Sequence, residues 1–144
     1  MVRAILLTIL AACMMGMTAQ QSGCQGARTL TVQLVNDTGR DIDFTLAYSA
    51  DADASFADLV DDGTEISDTV KAGEVVFKFL NCDATGAVAL ELAVLDVVAG
   101  VGPITIDDFV YRLDDHWTCG DTLQYRFTSS NNLTDLDVDS HVLP

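Results

Sequence analysis

The sequence predicts an all-β protein, an antiparallel β-sandwich of about seven strands that is immunoglobulin-like in general architecture and follows an N-terminal signal peptide. Apolar and polar residues alternate over several short stretches, which is the period of a half-buried strand. Turn residues separate these stretches at intervals of about eight to twelve residues, as in sandwich folds. The acids comprise 19 Asp and only 3 Glu, and Asp favours turns and caps over helix interiors.

The clearest alternation lies in residues 29–36 and 42–48, and the turn at 36–40 between them predicts a β-hairpin. Residues 51–63 are acidic with apolar side chains at helical spacing, which predicts a single helical turn or an irregular loop. The run 87–98 predicts a buried strand, with a helix as the alternative, because its period does not separate the two. The remaining predicted strands are 65–70, 75–80, 104–113 and 122–128.

Residues 1–23 predict the leader of an exported protein. Arg3 supplies a positive start, and residues 4–17 form an apolar run that is too short to span a bilayer and typical of a signal peptide. The Gly-rich stretch 100–103 is predicted to end the strand before it. The predicted boundaries are 24–28 for a spacer, 29–128 for the β-sandwich domain and 129–144 for a polar acidic tail with the alternation of an edge strand.

Two cysteines are candidates for lipid attachment, Cys13 or Cys24. Cys13 completes the sequence Leu-Ala-Ala-Cys, which matches the lipobox of bacterial lipoproteins, but cleavage there leaves a leader of only twelve residues. Cys24 lies at a suitable distance from the start, but Gln21 stands where an apolar residue is expected. Cleavage near Ala19 without a lipid is the third alternative. We expect a protein of the periplasm or outer cell envelope that is attached to the membrane through a lipid anchor.

Three segments carry a resemblance to a known group of proteins. Residues 30–38, the pair Gly102-Pro103 and the turn at 119–122 resemble the corresponding parts of small uncharacterised exported bacterial lipoproteins with a β-sandwich-like domain. The resemblance implies export and a β fold. That group has no assigned activity to carry over to this chain.

Acidic residues dominate the charge, with 22 Asp and Glu against seven Lys and Arg and a net charge of −15. Such a surface repels nucleic acid and anionic lipid, which excludes nucleic-acid recognition, and it attracts cations and basic partners. We therefore expect a non-catalytic envelope module with a binding or purely structural role rather than an enzyme. The partners that fit this expectation are a basic protein, a glycan or a cation.

Asp37, Thr38 and Gly39 match the active-site motif of aspartic proteases, in which two carboxylates share a proton and activate water. Arg40 stands where a small residue is usual, and a cation there would hold the carboxylate ionised. The same residues are also typical of a tight turn. A small aspartic-type hydrolase that uses Asp37 is therefore an alternative function, and we expect Asp37 to be structural.

Alternating carboxylates at two places are weak candidates for binding Ca²⁺. Asp51 and Asp53 form the first set, and Asp135, Asp137 and Asp139 form the second. At this spacing the oxygen ligands can turn towards one ion, but the first set lacks the glycine of an EF-hand and the second lies too near the end of the sequence. A calcium-dependent adhesion module is therefore a further alternative, and solvated loop charge is the favoured interpretation.

The remaining residues with distinctive chemistry are two histidines and two cysteines. His116 and His141 are the only histidines, and a catalytic or metal role would need them to converge; we expect His116 to pack on an aromatic residue at a strand end. Cys82 and Cys119 are the only cysteines outside the leader and spacer. Because an exported protein meets an oxidising compartment, they are predicted to form a disulfide.

Overall fold

The computed structural model describes residues 28–97, 100–130 and 135–144. Within them the chain forms eight strands, one α-helix and a 3₁₀ helix at Cys82–Ala84. The elements are, in order, β1 (Thr29–Asn36), β2 (Ile42–Ser49), α1 (Phe56–Asp62), β3 (Thr64–Val70), β4 (Val75–Asn81), β5 (Ala87–Val97), β6 (Gly100–Arg112), β7 (Thr122–Thr128) and β8 (Asp137–Leu143).

The strands form two four-stranded sheets packed face to face. Sheet A has the order β4-β1-β7-β8, and sheet B has the order β3-β2-β5-β6. All neighbouring pairs among the described strands are antiparallel except β1 and β7, which run parallel. The predicted all-β sandwich is confirmed, with eight strands in place of about seven and one parallel pair that the alternation of apolar residues does not specify.

The core lies between the two sheets and is built from the inward side of each alternation. Leu30, Val32 and Leu34 of β1 and Phe44 and Leu46 of β2 are almost completely buried there. Burying one such side chain contributes about 1.5–3 kcal/mol relative to leaving it exposed. Because period two assigns every second residue to this layer, the sequence alone identifies the buried side of β1 and β2.

The predicted β-hairpin between β1 and β2 is wrong, because the two strands belong to different sheets. The connecting turn carries the chain across the sandwich and is organised by the fully buried side chain of Asn36. Its Nδ2 donates to the carbonyls of Arg40 (2.7 Å) and Val70 (2.9 Å). Its Oδ1 accepts from the backbone N–H (2.9 Å) and the hydroxyl (2.7 Å) of Thr38. Alternation fixes which face of a strand is buried, but not which strand lies beside it.

Other predicted boundaries have mixed outcomes. The buried strand predicted at 87–98 is confirmed over Ala87–Val97. That strand ends before 100–103 as predicted, but the next strand begins at Gly100 and not at residue 104, so 100–103 belongs to β6 and is not a break. A proline in this segment is compatible with a strand because β6 lies at the edge of sheet B, where one side of the backbone makes no ladder bonds. The acidic tail supplies β8, an edge strand of sheet A as its alternation indicated.

Helix α1 confirms the helical turn expected in the acidic stretch 51–63. Ser55 caps its N-terminus and Asp58 bonds back to Ser55, a capping box that satisfies two backbone donors. The hydrogen bonds from Ser55 lower the pKa of the Asp58 carboxyl. Leu59 is the buried residue of the helix, and it packs with Ala47 and Ala89 of sheet B. Small side chains on β2 and β5 thus make room for α1.

Candidate functional site

The pole of the sandwich where β1 begins holds the predicted disulfide. Cys82 follows β4 and Cys119 precedes β7, the two strands that flank β1, and their Cα atoms lie 6.0 Å apart. That separation is normal for a disulfide. The N–H of Cys82 donates to the carbonyl of Arg28 (2.9 Å), and the N–H of Gly120 donates to that of Thr29 (3.0 Å). The pairing is confirmed, and it holds both flanking loops against the start of β1.

The two candidate lipidation residues, Cys13 and Cys24, lie outside the described residues together with the rest of the predicted leader. In the described part of the chain, no helix is both long and apolar enough to cross a membrane. The chain enters the sandwich at Arg28, directly beside the Cys82–Cys119 pair.

Asp37 lies on the turn between β1 and β2. Its Oδ2 forms an ion pair with Nη1 of Arg126 on β7 at 2.6 Å, and both side chains are 45% exposed. Its backbone N–H donates to the carbonyl of Phe127 at 2.9 Å. The cation beside this carboxylate is therefore Arg126, and not Arg40 as the sequence suggested. These contacts dock the turn onto β7.

The first calcium candidates take part in local turn structure. Oδ1 of Asp51 accepts the backbone N–H of Asp53 at 2.9 Å, which closes a turn ahead of α1. The guanidinium of Arg112 donates to the carbonyls of Ala52 (2.9 Å) and Ala54 (2.8 Å). Two positively polarised N–H groups of one arginine therefore hold this acidic loop against β6.

The second set of carboxylates lies in and beside β8. Asp135 accepts hydrogen bonds from the hydroxyls of Ser129 (2.9 Å) and Ser130. Asp137 and Asp139 are exposed and alternate along the strand. Within residues 28–97, 100–130 and 135–144, no three His, Cys, Asp or Glu side chains are grouped so that they could hold a metal ion. The fold does not bring the two predicted sets together.

His116 lies in the turn after β6 and packs on aromatic residues, as expected. Its ring centroid is 5.1 Å from that of Phe109 and 6.0 Å from that of Tyr111. Its Nδ1 accepts the backbone N–H of Arg112 at 3.0 Å, which fixes the ring across the turn. Trp117, the neighbour in sequence, is instead buried in the core.

A chain of hydroxyl groups joins the edge strands β6 and β8 beside this aromatic cluster. The hydroxyl of Tyr111 donates to Oγ of Ser140 (2.8 Å), and Ser140 donates to Oδ2 of Asp107 (2.9 Å). Burial raises the pKa of Tyr111. Tyr125 is fully buried behind it, and burial, followed by the charge of Asp107, raises the pKa of Tyr125 well above its ordinary value of 10.0. These contacts close one side of the sandwich.

A shallow groove of about 290 Å³ lies on the outer face of sheet B. The hydroxyls of Thr45 and Ser67 lie 2.9 Å apart in it, and the hydroxyl of Thr69 donates to Asp43 at 2.5 Å. Small-molecule sites usually occupy about 300–1,000 Å³ and present polar groups that converge on the ligand. Here the polar side chains are partnered with each other, so the groove does not have that character.

Sheet A carries an acid-free surface. Strands β4, β1 and β7 contain no Asp or Glu, whereas each of the other five strands contains at least one. Their only charged residues are Lys78, whose Nζ lies over the ring of buried Phe44, and Arg126, which is paired with Asp37. We call the outer surface of these three strands the neutral face. The sequence analysis did not identify this face, although three of the predicted strands, 29–36, 75–80 and 122–128, contain no acid.

Aromatic and neutral polar side chains share the neutral face. Phe77 and Phe79 of the edge strand β4 are 50% and 68% exposed. Nε2 of Gln124 on β7 donates to Oε1 of Gln33 on β1 at 2.7 Å. The other half of each amide makes no hydrogen bond within the described residues. Strand register arranges the side chains in two rows, Phe77–Gln33–Gln124 and Phe79–Thr31–Thr122.

No protein-family model, curated protein or solved structure matches the chain. The chemistry of the described surfaces is therefore the basis for a functional assignment. The aromatic cluster and the hydroxyl chain at the β6–β8 edge, the groove on sheet B and the acidic loop all use their polar groups within the domain. The neutral face differs from them, because it exposes two large aromatic side chains, Phe77 and Phe79, and because each of its two amides uses only one side for the other.

Proposed function

We propose that the protein is an exported, lipid-anchored and non-catalytic binding module of the cell envelope, and that the neutral face is its binding surface. The observation that carries the proposal is the exposure of Phe77 and Phe79 on three neighbouring strands that contain no acid. Cores of protein interfaces are typically depleted of charge and enriched in aromatic residues. Solubility accounts for the many acids of the chain, but not for their absence from three neighbouring strands.

The proposed lipid anchor would lie close to the folded domain. If Cys24 is the acylated residue, only residues 25–28 separate the lipid from the start of β1, and four extended residues span at most about 14 Å. The net charge of −15 opposes adsorption to anionic lipid. The domain therefore stands next to the membrane without inserting into it, and its neutral face stays accessible.

The tether is tested by metabolic labelling with an alkyne fatty acid. The wild-type chain is expected to carry the label, and one of the variants Cys13→Ala and Cys24→Ala is expected to lose it and leave the membrane fraction. A wild-type protein without label would reduce the proposal to a secreted module. Retention of the label in both single variants, and its loss in the double variant, would mean that either cysteine can serve.

The binding surface is tested by co-sedimentation with washed cell-envelope fragments. Residues 25–144 contain both sheets, the core and the disulfide, and serve as the soluble form. We expect this form to sediment with the fragments and the Phe77→Ser/Phe79→Ser variant to remain in solution. Ile104→Ser is the matched control, because Ile104 is 55% exposed on β6 of the other sheet. Equal sedimentation of all three proteins would refute the assignment of the neutral face.

A further inference from the structure

We propose that the ligand of the neutral face is a neutral polysaccharide chain, laid across strands β4, β1 and β7. This proposal rests on the proposed function of the protein as a binding module, and it names the chemical class of the partner. Three observations carry it: the distribution of charge, the pairing of aromatic with amide and hydroxyl groups in rows, and the protection of the β4 edge.

Charge complementarity selects a neutral ligand. The chain has a net charge of −15, so a basic protein or a cation would be drawn to its acidic surfaces. The neutral face has no acid on its three strands, and its one outward cation, Arg126, is already paired with Asp37 at 2.6 Å. A polyanion would be repelled by the rest of the domain. A ligand that gains most from this surface therefore carries no net charge.

The rows offer the groups that a sugar chain needs. A sugar presents apolar C–H faces, which stack on aromatic rings, and hydroxyls that both donate and accept hydrogen bonds. Phe77 and Phe79 project from the same side of β4, about 7 Å apart at the rise of an extended strand. Beside Phe77, the half-buried Gln33 uses its carbonyl to accept from Gln124 and keeps its NH₂ group without a hydrogen bond in the described residues, whereas Gln124 is itself only 8% exposed. Neighbouring strands lie about 4.8 Å apart, so each row spans about 10 Å from β4 to β7.

The β4 edge itself is protected against pairing with another strand. Lys78 lies between Phe77 and Phe79 in sequence and points to the opposite side, where its amine bonds to Asp68 of β3. That contact lowers the pKa of the Asp68 carboxyl. Inward-pointing charges on edge strands are a device that opposes edge-to-edge association. The exposed phenylalanines are therefore better suited to a ligand that covers the face than to a second copy that extends the sheet.

Affinity electrophoresis of residues 25–144 tests the proposal with three soluble neutral polysaccharides, hydroxyethylcellulose, dextran and mannan, and with anionic alginate for comparison. We expect at least one neutral polymer to retard the protein, with affinity reduced by about tenfold or more in Phe77→Ser/Phe79→Ser. Gln33→Leu is expected to weaken retardation, Phe79→Trp to preserve it, and Ile104→Ser to leave it unchanged.

Absence of retardation by all three neutral polymers overturns the glycan proposal, and the module itself still stands if the envelope co-sedimentation depends on Phe77 and Phe79. Retardation by alginate alone, or retardation that the serine variants do not change, also overturns it. Sedimentation velocity provides the last check: a dimer that dissociates in Phe77→Ser/Phe79→Ser, without any polysaccharide binding, would assign the face to a second copy.

Discussion

Removing the Cys82–Cys119 disulfide is expected to lower the free energy of unfolding by up to about 4 kcal/mol. The two residues are separated by 37 positions in sequence, and closing a loop of this size removes about that much chain entropy from the unfolded state. The native state gives a further reason. The loops that carry the cysteines donate backbone hydrogen bonds to Arg28 and Thr29, so the bridge also holds the start of β1 in place.

Urea unfolding of the wild-type protein and the Cys82→Ala/Cys119→Ala variant measures this effect. With an m-value of about 1–2 kcal/mol/M, we expect the urea midpoint to fall by up to about 2–4 M. A reductant should lower the midpoint of the wild type and leave the double variant unchanged, which controls for the lost packing of Cys82, a buried residue. Two titratable thiols in the unreduced wild type, or equal midpoints for the two proteins, would refute the reasoning.

Three further predictions concern single residues. Asn36→Ala should lower the free energy of unfolding by about 3 kcal/mol in urea titrations, because it removes four hydrogen bonds that a fully buried side chain makes across the turn; a loss below about 1 kcal/mol would contradict this. Asp37→Asn should change the free energy of unfolding by less than about 1 kcal/mol, since the ion pair with Arg126 is half exposed. The purified wild-type protein should not cleave unfolded substrates at mildly acidic pH. The free energy of unfolding should fall as pH rises above 10.0, because tyrosine then ionises in the unfolded chain while buried Tyr125 keeps its proton. Tyr125→Phe should make the free energy of unfolding less dependent on pH in this range. An unchanged pH dependence would show that Tyr125 does not cause the loss of stability.

Alternation along the chain was sufficient to predict the sandwich and most of its strands. In β1, Leu30, Val32 and Leu34 face the core as their spacing requires. The partners of a strand were not predictable in the same way, because period two says which side is buried and nothing about the neighbour. The Asn36 turn shows this limit: its sequence fits a hairpin, and only the long-range bond from Asn36 to the carbonyl of Val70 reveals a crossing between sheets.

The candidate site was predictable in part. The Cys82–Cys119 pair was predicted because an exported protein meets an oxidising compartment and because both cysteines lie at strand ends, and their Cα separation of 6.0 Å agrees. The neutral face depends on three strands, β4, β1 and β7, that are distant in sequence and adjacent in sheet A. Each is an ordinary acid-free strand by itself, and the surface exists only once strand order is known. Short motifs such as Asp51 and Asp53 were instead the candidates for a binding site, although these residues form a local turn.

The proposed tether and the neutral face meet in the same strand. Strand β1 begins at the disulfide pole, lies between β4 and β7, and bonds to both along its length. A force on the N-terminus directed along β1 would load both ladders in shear at once, so that no single row of hydrogen bonds carries it alone. The Cys82–Cys119 bridge joins the loops next to β4 and β7 at the point where that force enters. The topology would therefore let the proposed tether hold the domain at the start of β1 while the three strands that form the neutral face keep their register.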